Sequence, residues 1–190
     1  MEDTLAQALV DSFPKKTPMG ITGENLAAKY EITRKEADEY ALLSQQRYQQ
    51  GLLAKVFDKE ISGIELKSKK GLELMMVDEC PRASTTLESL SKLKPVFIKD
   101  TGIVTAGYSM ILITLFTNNA NRNASAITDG AASVILASEE AVKKYGLTPL
   151  ARLVSYNYCG VEPEIMGIGP VPAIKAALKN AKLTLKDMSR

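Results

Sequence analysis

The sequence contains no histidine and no tryptophan, and it has only two cysteines among its 190 residues. Without imidazole, these residues cannot run chemistry that depends on a histidine base, acid or metal ligand. Cys80 and Cys159 have neither the spacing of a disulfide framework nor that of a zinc site. We therefore expect two reduced intracellular thiols, with Cys159 buried at the end of a strand.

Strong charge and long apolar runs are also lacking. The balance of 24 basic and 22 acidic residues gives a net charge of +2, and no basic tract alternates with aromatics, which argues against a nucleic-acid partner. The longest apolar run, Met110 to Phe116, is far shorter than the roughly 20 residues that a membrane span needs. The acidic start Met1-Glu2-Asp3 predicts no signal peptide. These features predict a soluble globular protein with one core or parts of two.

Capping signals and apolar periodicity predict six helices. The clearest signals are two capping boxes, in which a threonine and a glutamate satisfy each other's backbone donors: Thr33 with Glu36, and Thr85 with Glu88. The predicted helices start at Thr22, Thr33, Thr85, Ser138, Pro172 and Thr184. We expect the second to end near Gly51, the third before Pro95 and the fourth at Gly146.

Strand signals are fewer. Ile61 to Leu66 and Leu72 to Val77 flank a Lys-Lys-Gly turn and predict a hairpin. The small and β-branched residues of Ala131 to Ala137 predict a buried strand, and Leu150 to Tyr158 predicts another. Alternation of strand and helix towards the end of the chain indicates an α/β layered fold. The region before Pro95 is instead typical of an α+β unit.

One motif is divided in two. Gly102-Ile-Val-Thr-Ala-Gly107 is separated from Asn123-Ala-Ser-Ala-Ile-Thr-Asp-Gly130 by the stretch Tyr108 to Arg122. Joined, the two halves closely resemble the thiolases, which cleave or condense 3-ketoacyl-CoA, and the mitochondrial 3-ketoacyl-CoA type is the most similar branch. Met19-Gly-Ile-Thr-Gly-Glu-Asn25 and Met166-Gly-Ile-Gly-Pro170 fit the same order.

The resemblance implies an incomplete thiolase-like α/β fold. Residues 1–100 would form a loop domain over CoA, 101–150 the end of the N-terminal half and 151–190 the start of the C-terminal half. It also implies acyl transfer to CoA in fatty-acid β-oxidation, a mitochondrial location, oligomeric subunits and CoA thioesters as substrate, with no bound cofactor and no metal.

The family's CoA-lining positions map onto seven residues of this sequence. Arg82 suits a phosphate or adenine ring, while Phe97 would be an apolar wall. Without the resemblance, the favoured interpretation is that Arg82 is a surface charge, Phe97 a core residue and Ser125 a turn residue. The seven positions are Met19, Arg82, Ser89, Phe97, Ala106, Ser125 and Ile127.

No catalytic residue is assigned. In the family's pattern the nucleophilic cysteine lies upstream of Met1, and the Asn-Glu-Ala-Phe, Gly-His-Pro and Cys-x-Gly-Gly motifs follow Arg190. The chemistry needs a thiolate and a base, and neither Cys80 nor Cys159 matches such a position. We expect the 190 residues alone to be inactive. The alternative is a non-enzymatic module that binds CoA or pairs with full-length thiolase subunits.

Tyr108 to Arg122 is interpreted as an insertion into a thiolase segment that is truncated at both ends, and its composition suggests translated intron or a gene-model error. Its segment Met110 to Phe116 is apolar, uncharged and free of proline, which is typical of a sequence that pairs with copies of itself. We expect this segment to be exposed, so that deleting the insertion raises solubility.

Overall fold

The computed structural model describes residues 9–68, 71–78, 80–105 and 130–189. The described part contains five α-helices, one two-stranded sheet and two short 3₁₀ helices. The helices are α1 (Met19–Tyr30), α2 (Arg34–Leu53), α3 (Leu87–Ser91), α4 (Glu139–Tyr145) and α5 (Pro170–Ala181), the strands are β1 (Ile64–Ser68) and β2 (Gly71–Met75), and the 3₁₀ helices are Pro163–Ile168 and Leu185–Asp187. None of the described helices has the length and apolar character of a membrane span.

Helix α1 has its N-cap four residues earlier than predicted. Its N-cap is Pro18, whose φ of −62° and ψ of 142° lead the chain into the helix without a side-chain cap. Thr22 is not the cap, because it lies inside the helix and its hydroxyl donates to the Met19 carbonyl at 2.6 Å. The helix ends at Tyr30, and its C-cap Glu31 adopts the left-handed conformation.

Helix α2 confirms the first capping box. The Glu36 backbone amide donates to Thr33 Oγ1 at 3.2 Å, and the Thr33 amide donates to Glu36 Oε2 at 2.8 Å. The Thr33 hydroxyl also donates to Glu36 Oε2, at 2.8 Å. The bonds from the Thr33 amide and, to a smaller extent, the Thr33 hydroxyl lower the pKa of Glu36 below its ordinary value. The helix passes Gly51 and ends at Leu53.

Helix α3 uses the second capping signal one residue later than predicted. Thr86, not Thr85, is the N-cap, and Ser89, not Glu88, completes the box. Thr85 is buried instead. The helix is held on α2 by Arg34, whose guanidinium donates to the carbonyls of Leu90 at 2.7 Å and Leu93 at 3.1 Å.

The hairpin is confirmed with shifted bounds. β1 and β2 pair antiparallel, with Ile64 opposite Met75 and Ser68 opposite Gly71. All five residues of β1 are exposed, so the sheet buries no core.

The two later strand predictions are wrong. Residues 131–137 and 150–158 form no strand in the described part of the chain, and most of their side chains are exposed. Val134 and Ile135 are 86% and 90% exposed. A strand needs a neighbour for its backbone amides and carbonyls, and the one sheet among the described residues contains only β1 and β2. Cys159 is exposed as well, so its predicted burial is wrong.

The last helices agree better with prediction. Ser138 caps α4 by accepting from the Ala141 amide at 3.2 Å, and Gly146 ends it in the left-handed conformation. Helix α5 starts at Pro170, so Pro172 lies within its first turn. Thr184 forms a capping box with Asp187 at the start of the last 3₁₀ helix.

Candidate functional site

Helix α1 carries a buried carboxylate that holds the first half of the divided motif. Glu24 is 4% exposed. Its two oxygens accept from the backbone amides of Ile103 and Val104, each at 2.9 Å. The Glu24 carboxylate therefore fixes the backbone of this segment against the helix.

The same segment is joined to the chain around Phe97. The Val96 amide donates to the Val104 carbonyl at 3.0 Å, and Pro95 and Thr105 form an isolated antiparallel bridge. These bonds place Phe97 beside the start of α1.

Phe97 lies directly over Gly20. A Cβ built on Gly20 would be 1.9 Å from Phe97 Cε2, so the ring occupies the space that any side chain at position 20 would need. Met19 is the neighbouring residue in the first turn of α1 and is half-buried. Met19 and Phe97, two of the predicted CoA-lining residues, are thus brought to one end of this helix.

The third motif packs on the other side of α1. Asn25 donates from Nδ2 to the Glu164 carbonyl at 2.9 Å. A Cβ built on Gly167 would be 2.8 Å from Leu26 Cδ1. The Met19–Asn25 motif, residues 102–105 of the divided motif and the Met166–Pro170 motif, which are far apart in sequence, therefore meet at α1.

Arg82 lies on a different segment, which is held against α2. Gln45 Oε1 accepts from the Arg82 amide at 2.8 Å, and the Tyr48 hydroxyl donates to Asp78 Oδ2 at 2.9 Å. Burial raises the pKa of Tyr48, and the hydrogen bond and charge of Asp78 raise it further. The Arg82 residue is exposed, so its position suits contact with a soluble anion.

Ser89 lies in α3 and its hydroxyl is engaged by the cap. It accepts from the Thr86 amide at 3.0 Å and donates to the Thr86 carbonyl at 2.7 Å. A ligand that hydrogen-bonds to Ser89 must therefore share the oxygen or displace the Thr86 bonds. The other three predicted positions, Ala106, Ser125 and Ile127, lie outside the described residues, as does the insertion Tyr108 to Arg122.

Sequence reasoning missed the polar residues that assemble this region. Glu24 and Asn25 belong to a recognised motif, but a polar residue within a helix is usually interpreted as solvent-facing. For Arg34, the sequence could indicate only an i,i+4 ion pair with Asp38. The structure contains this pair, with 2.8 Å between Arg34 Nε and Asp38 Oδ2. Within residues 9–68, 71–78, 80–105 and 130–189, no group of three or more His, Cys, Asp or Glu side chains is arranged to hold a metal ion.

Two family descriptions match successive parts of the chain. Residues 1–140 match "Thiolase, N-terminal domain", and residues 147–190 match "Thiolase, C-terminal domain". The mitochondrial 3-ketoacyl-CoA thiolase of Mus musculus is 54% identical over 188 residues, which are 99% of this chain and 43% of the relative. The chain therefore spans less than half the length of such relatives.

Solved structures give the same result. The human mitochondrial 3-ketoacyl-CoA thiolase in complex with CoA superposes with a TM-score of 0.80 at 51% identity, over 98% of this chain and 42% of that one. The acetyl-CoA acetyltransferase of Bacillus anthracis gives 0.81 at 42% identity, over 98% and 43%. The predicted thiolase-like α/β fold, incomplete here, is confirmed by these matches. With the three motifs meeting at α1, the chain belongs to the thiolase family.

Proposed function

We propose that this chain is part of a 3-ketoacyl-CoA thiolase, an acetyl-CoA C-acyltransferase of fatty-acid β-oxidation, and that it supplies part of the CoA-binding surface. The observation that carries the proposal is the assembly around α1, where Glu24 fixes Val104 and Phe97 covers Gly20. The relatives that are named mitochondrial support a mitochondrial location. CoA thioester is the substrate, and no further cofactor is proposed.

Two groups of residues contact CoA in this proposal. Met19 and Phe97 offer an apolar, half-buried surface for the pantetheine chain or the acyl group. Arg82 offers an exposed guanidinium for phosphate. Ser89 is retained as a contact through its cap-bonded oxygen. Ala106, Ser125 and Ile127 remain predicted contacts.

We further propose that the 190 residues alone do not turn over substrate. The sequence contains no histidine, and a thiolase reaction requires both a thiolate nucleophile and a base. Cys80 is half-buried and Cys159 is exposed. Neither matches a catalytic position of the family pattern.

Calorimetric titration with CoA tests the binding surface. We expect binding weaker than about 10 µM, because a partial groove leaves more of the ligand in water. Arg82→Ala should weaken it further, while Arg47→Ala, which removes an exposed charge from α2, should not. If the chain binds CoA with micromolar or higher affinity, and Arg82→Ala has the same affinity, the residue assignment is wrong.

Activity is tested with acetoacetyl-CoA and free CoA. We expect no CoA-dependent cleavage above background by the purified chain. Turnover that is abolished by Cys80→Ser or Cys159→Ser would contradict the proposed inactivity.

An exposed apolar surface on α5 favours the second candidate, a module that pairs with thiolase subunits. Val171, Ile174 and Leu178 of the helix and Leu183 and Leu185 beyond it line an open groove of about 570 Å³. The test is co-elution with the full-length mouse enzyme on a sizing column. If the chain co-elutes, Ile174→Asp does not, and the chain shows no measurable CoA binding, this candidate is favoured over the first.

A further inference from the structure

The hairpin of β1 and β2 is the one sheet among the described residues, and the outer edge of β1 has no strand beside it there. All five residues of β1, Ile64–Ser68, are exposed. A two-stranded sheet is marginally stable by itself and gains stability from a further strand. The outer edge of β1 can therefore serve as a template for another strand.

The register of the hairpin shows which backbone groups lie on that edge. Ser68 is opposite Gly71, and only two residues separate them in the sequence. The pair that closes such a loop is hydrogen-bonded, and bonded pairs alternate with non-bonded pairs along an antiparallel ladder. Leu66 therefore bonds to β2. Its neighbours Glu65 and Lys67 direct their amides and carbonyls away from β2, towards the open edge.

The two residues whose backbone faces the open edge carry opposite charges. If a second β1 pairs antiparallel along this edge, bonded residues of one copy must lie opposite bonded residues of the other. Symmetric pairing can then be centred on Glu65, on Leu66 or on Lys67. The first centre places two glutamates opposite each other and the last places two lysines, and like charges in direct opposition destabilise a sheet. The Leu66 centre places Glu65 opposite Lys67 of the second copy, on both sides of the two-fold axis.

The register centred on Leu66 also joins apolar side chains. Leu66 would lie opposite its own copy in a non-bonded pair, where side chains are closest. Ile64 of the second copy would be its diagonal neighbour on the same face. Both side chains are exposed in the single chain. Backbone bonding, charge and apolar contact therefore favour the same register.

We propose that β1 is a self-recognition edge, through which two copies of this chain pair antiparallel about Leu66 into a four-stranded sheet of order β2-β1-β1-β2. Each Glu65–Lys67 pair exchanges two backbone hydrogen bonds, and its carboxylate and ammonium fix the register. A lysine on an edge strand usually prevents pairing, but in this register Lys67 meets a carboxylate. Five residues a side bury less than the roughly 1,200 Å² of a standard interface, so the dimer is weak and depends on concentration.

Sedimentation equilibrium of the 190-residue chain over a series of concentrations tests the pairing. We expect a reversible equilibrium of monomer and dimer. Because the two-fold axis applies each substitution twice, Glu65→Lys and Lys67→Glu should each weaken dimerisation by about tenfold or more. Glu73→Lys, a charge reversal at an exposed residue of β2, should leave dimerisation unchanged. A wild-type chain that stays monomeric, or single reversals that dimerise like wild type, would overturn the proposal.

Mixing the two single variants tests the charge pairing itself. Glu65→Lys has two ammonium groups on its edge and Lys67→Glu has two carboxylates, so each variant repels its own copy and complements the other. The mixture should form heterodimers with about the wild-type affinity, and the double variant E65K/K67E should dimerise again. If either the mixture or the double variant remains monomeric, the proposed register is wrong.

Cysteine trapping measures the register directly. In a background of Cys80→Ser and Cys159→Ser, Leu66→Cys places two thiols opposite each other, where opposed β-carbons are about 4.5–5.5 Å apart. Mild oxidation should link the two copies. Ile64→Cys, which would face Ser68 of the second copy, should be linked far less. Equal linking of both variants would indicate random collision and contradict the proposal.

The apolar groove at α5 is the competing surface for self-association. Ile174→Asp changes this groove and leaves β1 intact, so it should dimerise like wild type. If Ile174→Asp abolishes the dimer while Glu65→Lys does not, the contact belongs to α5 and the proposal is overturned. None of these measurements requires CoA, so their outcome is independent of the proposed function.

Discussion

The carboxylate of Glu24 accepts a hydrogen bond from the backbone amide of Val104 at 2.9 Å, across 80 residues of sequence. Its other oxygen accepts from the Ile103 amide at the same distance. Glu24→Gln keeps one acceptor but turns an NH₂ group towards the second amide. We expect a loss of about 2 kcal/mol in the free energy of unfolding, measured by urea denaturation.

The exposed Glu60 provides the matched control for this change. Glu60→Gln should alter stability by less than about 0.5 kcal/mol. If Glu24→Gln is equally mild, the Glu24 carboxylate does not hold the Val104 segment.

Two glycines of α1 should respond in opposite directions to alanine. Gly20→Ala forces a methyl group into the ring of Phe97 and should destabilise the chain by about 1–3 kcal/mol. At Gly23 the new Cβ would be 3.4 Å from Val104 Cγ2, an ordinary contact. Gly23→Ala should therefore stabilise the helix by up to about 1 kcal/mol. Thermal unfolding of both variants measures this, and loss of stability in both would contradict the packing described.

Removal of Arg34 should separate α3 from α2. The variant Arg34→Ala takes away the donor to Leu90 and Leu93 and leaves the Asp38 carboxylate, which is 2% exposed, without this cation. We expect a loss of about 3 kcal/mol in the free energy of unfolding. Arg47→Ala on the exposed surface of the same helix should have little effect. A loss of similar size in both variants would indicate a general effect of helix charge.

The first capping box should contribute to stability in a pH-dependent way. The folded-state pKa of Glu36 is lowered, chiefly by the Thr33 backbone amide. Its contribution is therefore present above the ordinary carboxyl pKa and is lost as the pH falls through the lowered value. Glu36→Gln should be less stable than wild type at about pH 7, and the difference should shrink at about pH 3. A difference that grows on acidification would contradict this sign.

Local signals were predictable from the sequence, and their limits are visible at single residues. Thr33 and Glu36 are the only cap pair of their neighbourhood, and the prediction was correct. Thr85 and Thr86 stand side by side, so the sequence alone could not choose between them. Thr85 is buried, which is a tertiary effect, and Thr86 is therefore the N-cap of α3.

Features that depend on distant residues were less predictable. The apolar pattern of residues 131–137 predicted a strand, but a strand exists only where another strand pairs with it. The sequence could not show that Glu24 binds the backbone amides of Ile103 and Val104, because these residues are 79 and 80 positions away. Among the candidate site residues, Met19 and Phe97 were predicted from the family resemblance, and their proximity through Gly20 is visible only in the packing.

The exposed segments on either side of α4 affect how long such a chain survives in a cell. Val134, Ile135 and Leu136 are 85–90% exposed, and Tyr158 is 87% exposed. Chaperones and proteases bind segments that have irregular backbone and accessible apolar side chains. We expect rapid turnover of the free chain in a pulse-chase experiment. Its half-life should lengthen when a binding partner covers these segments, which would make abundance a measure of assembly.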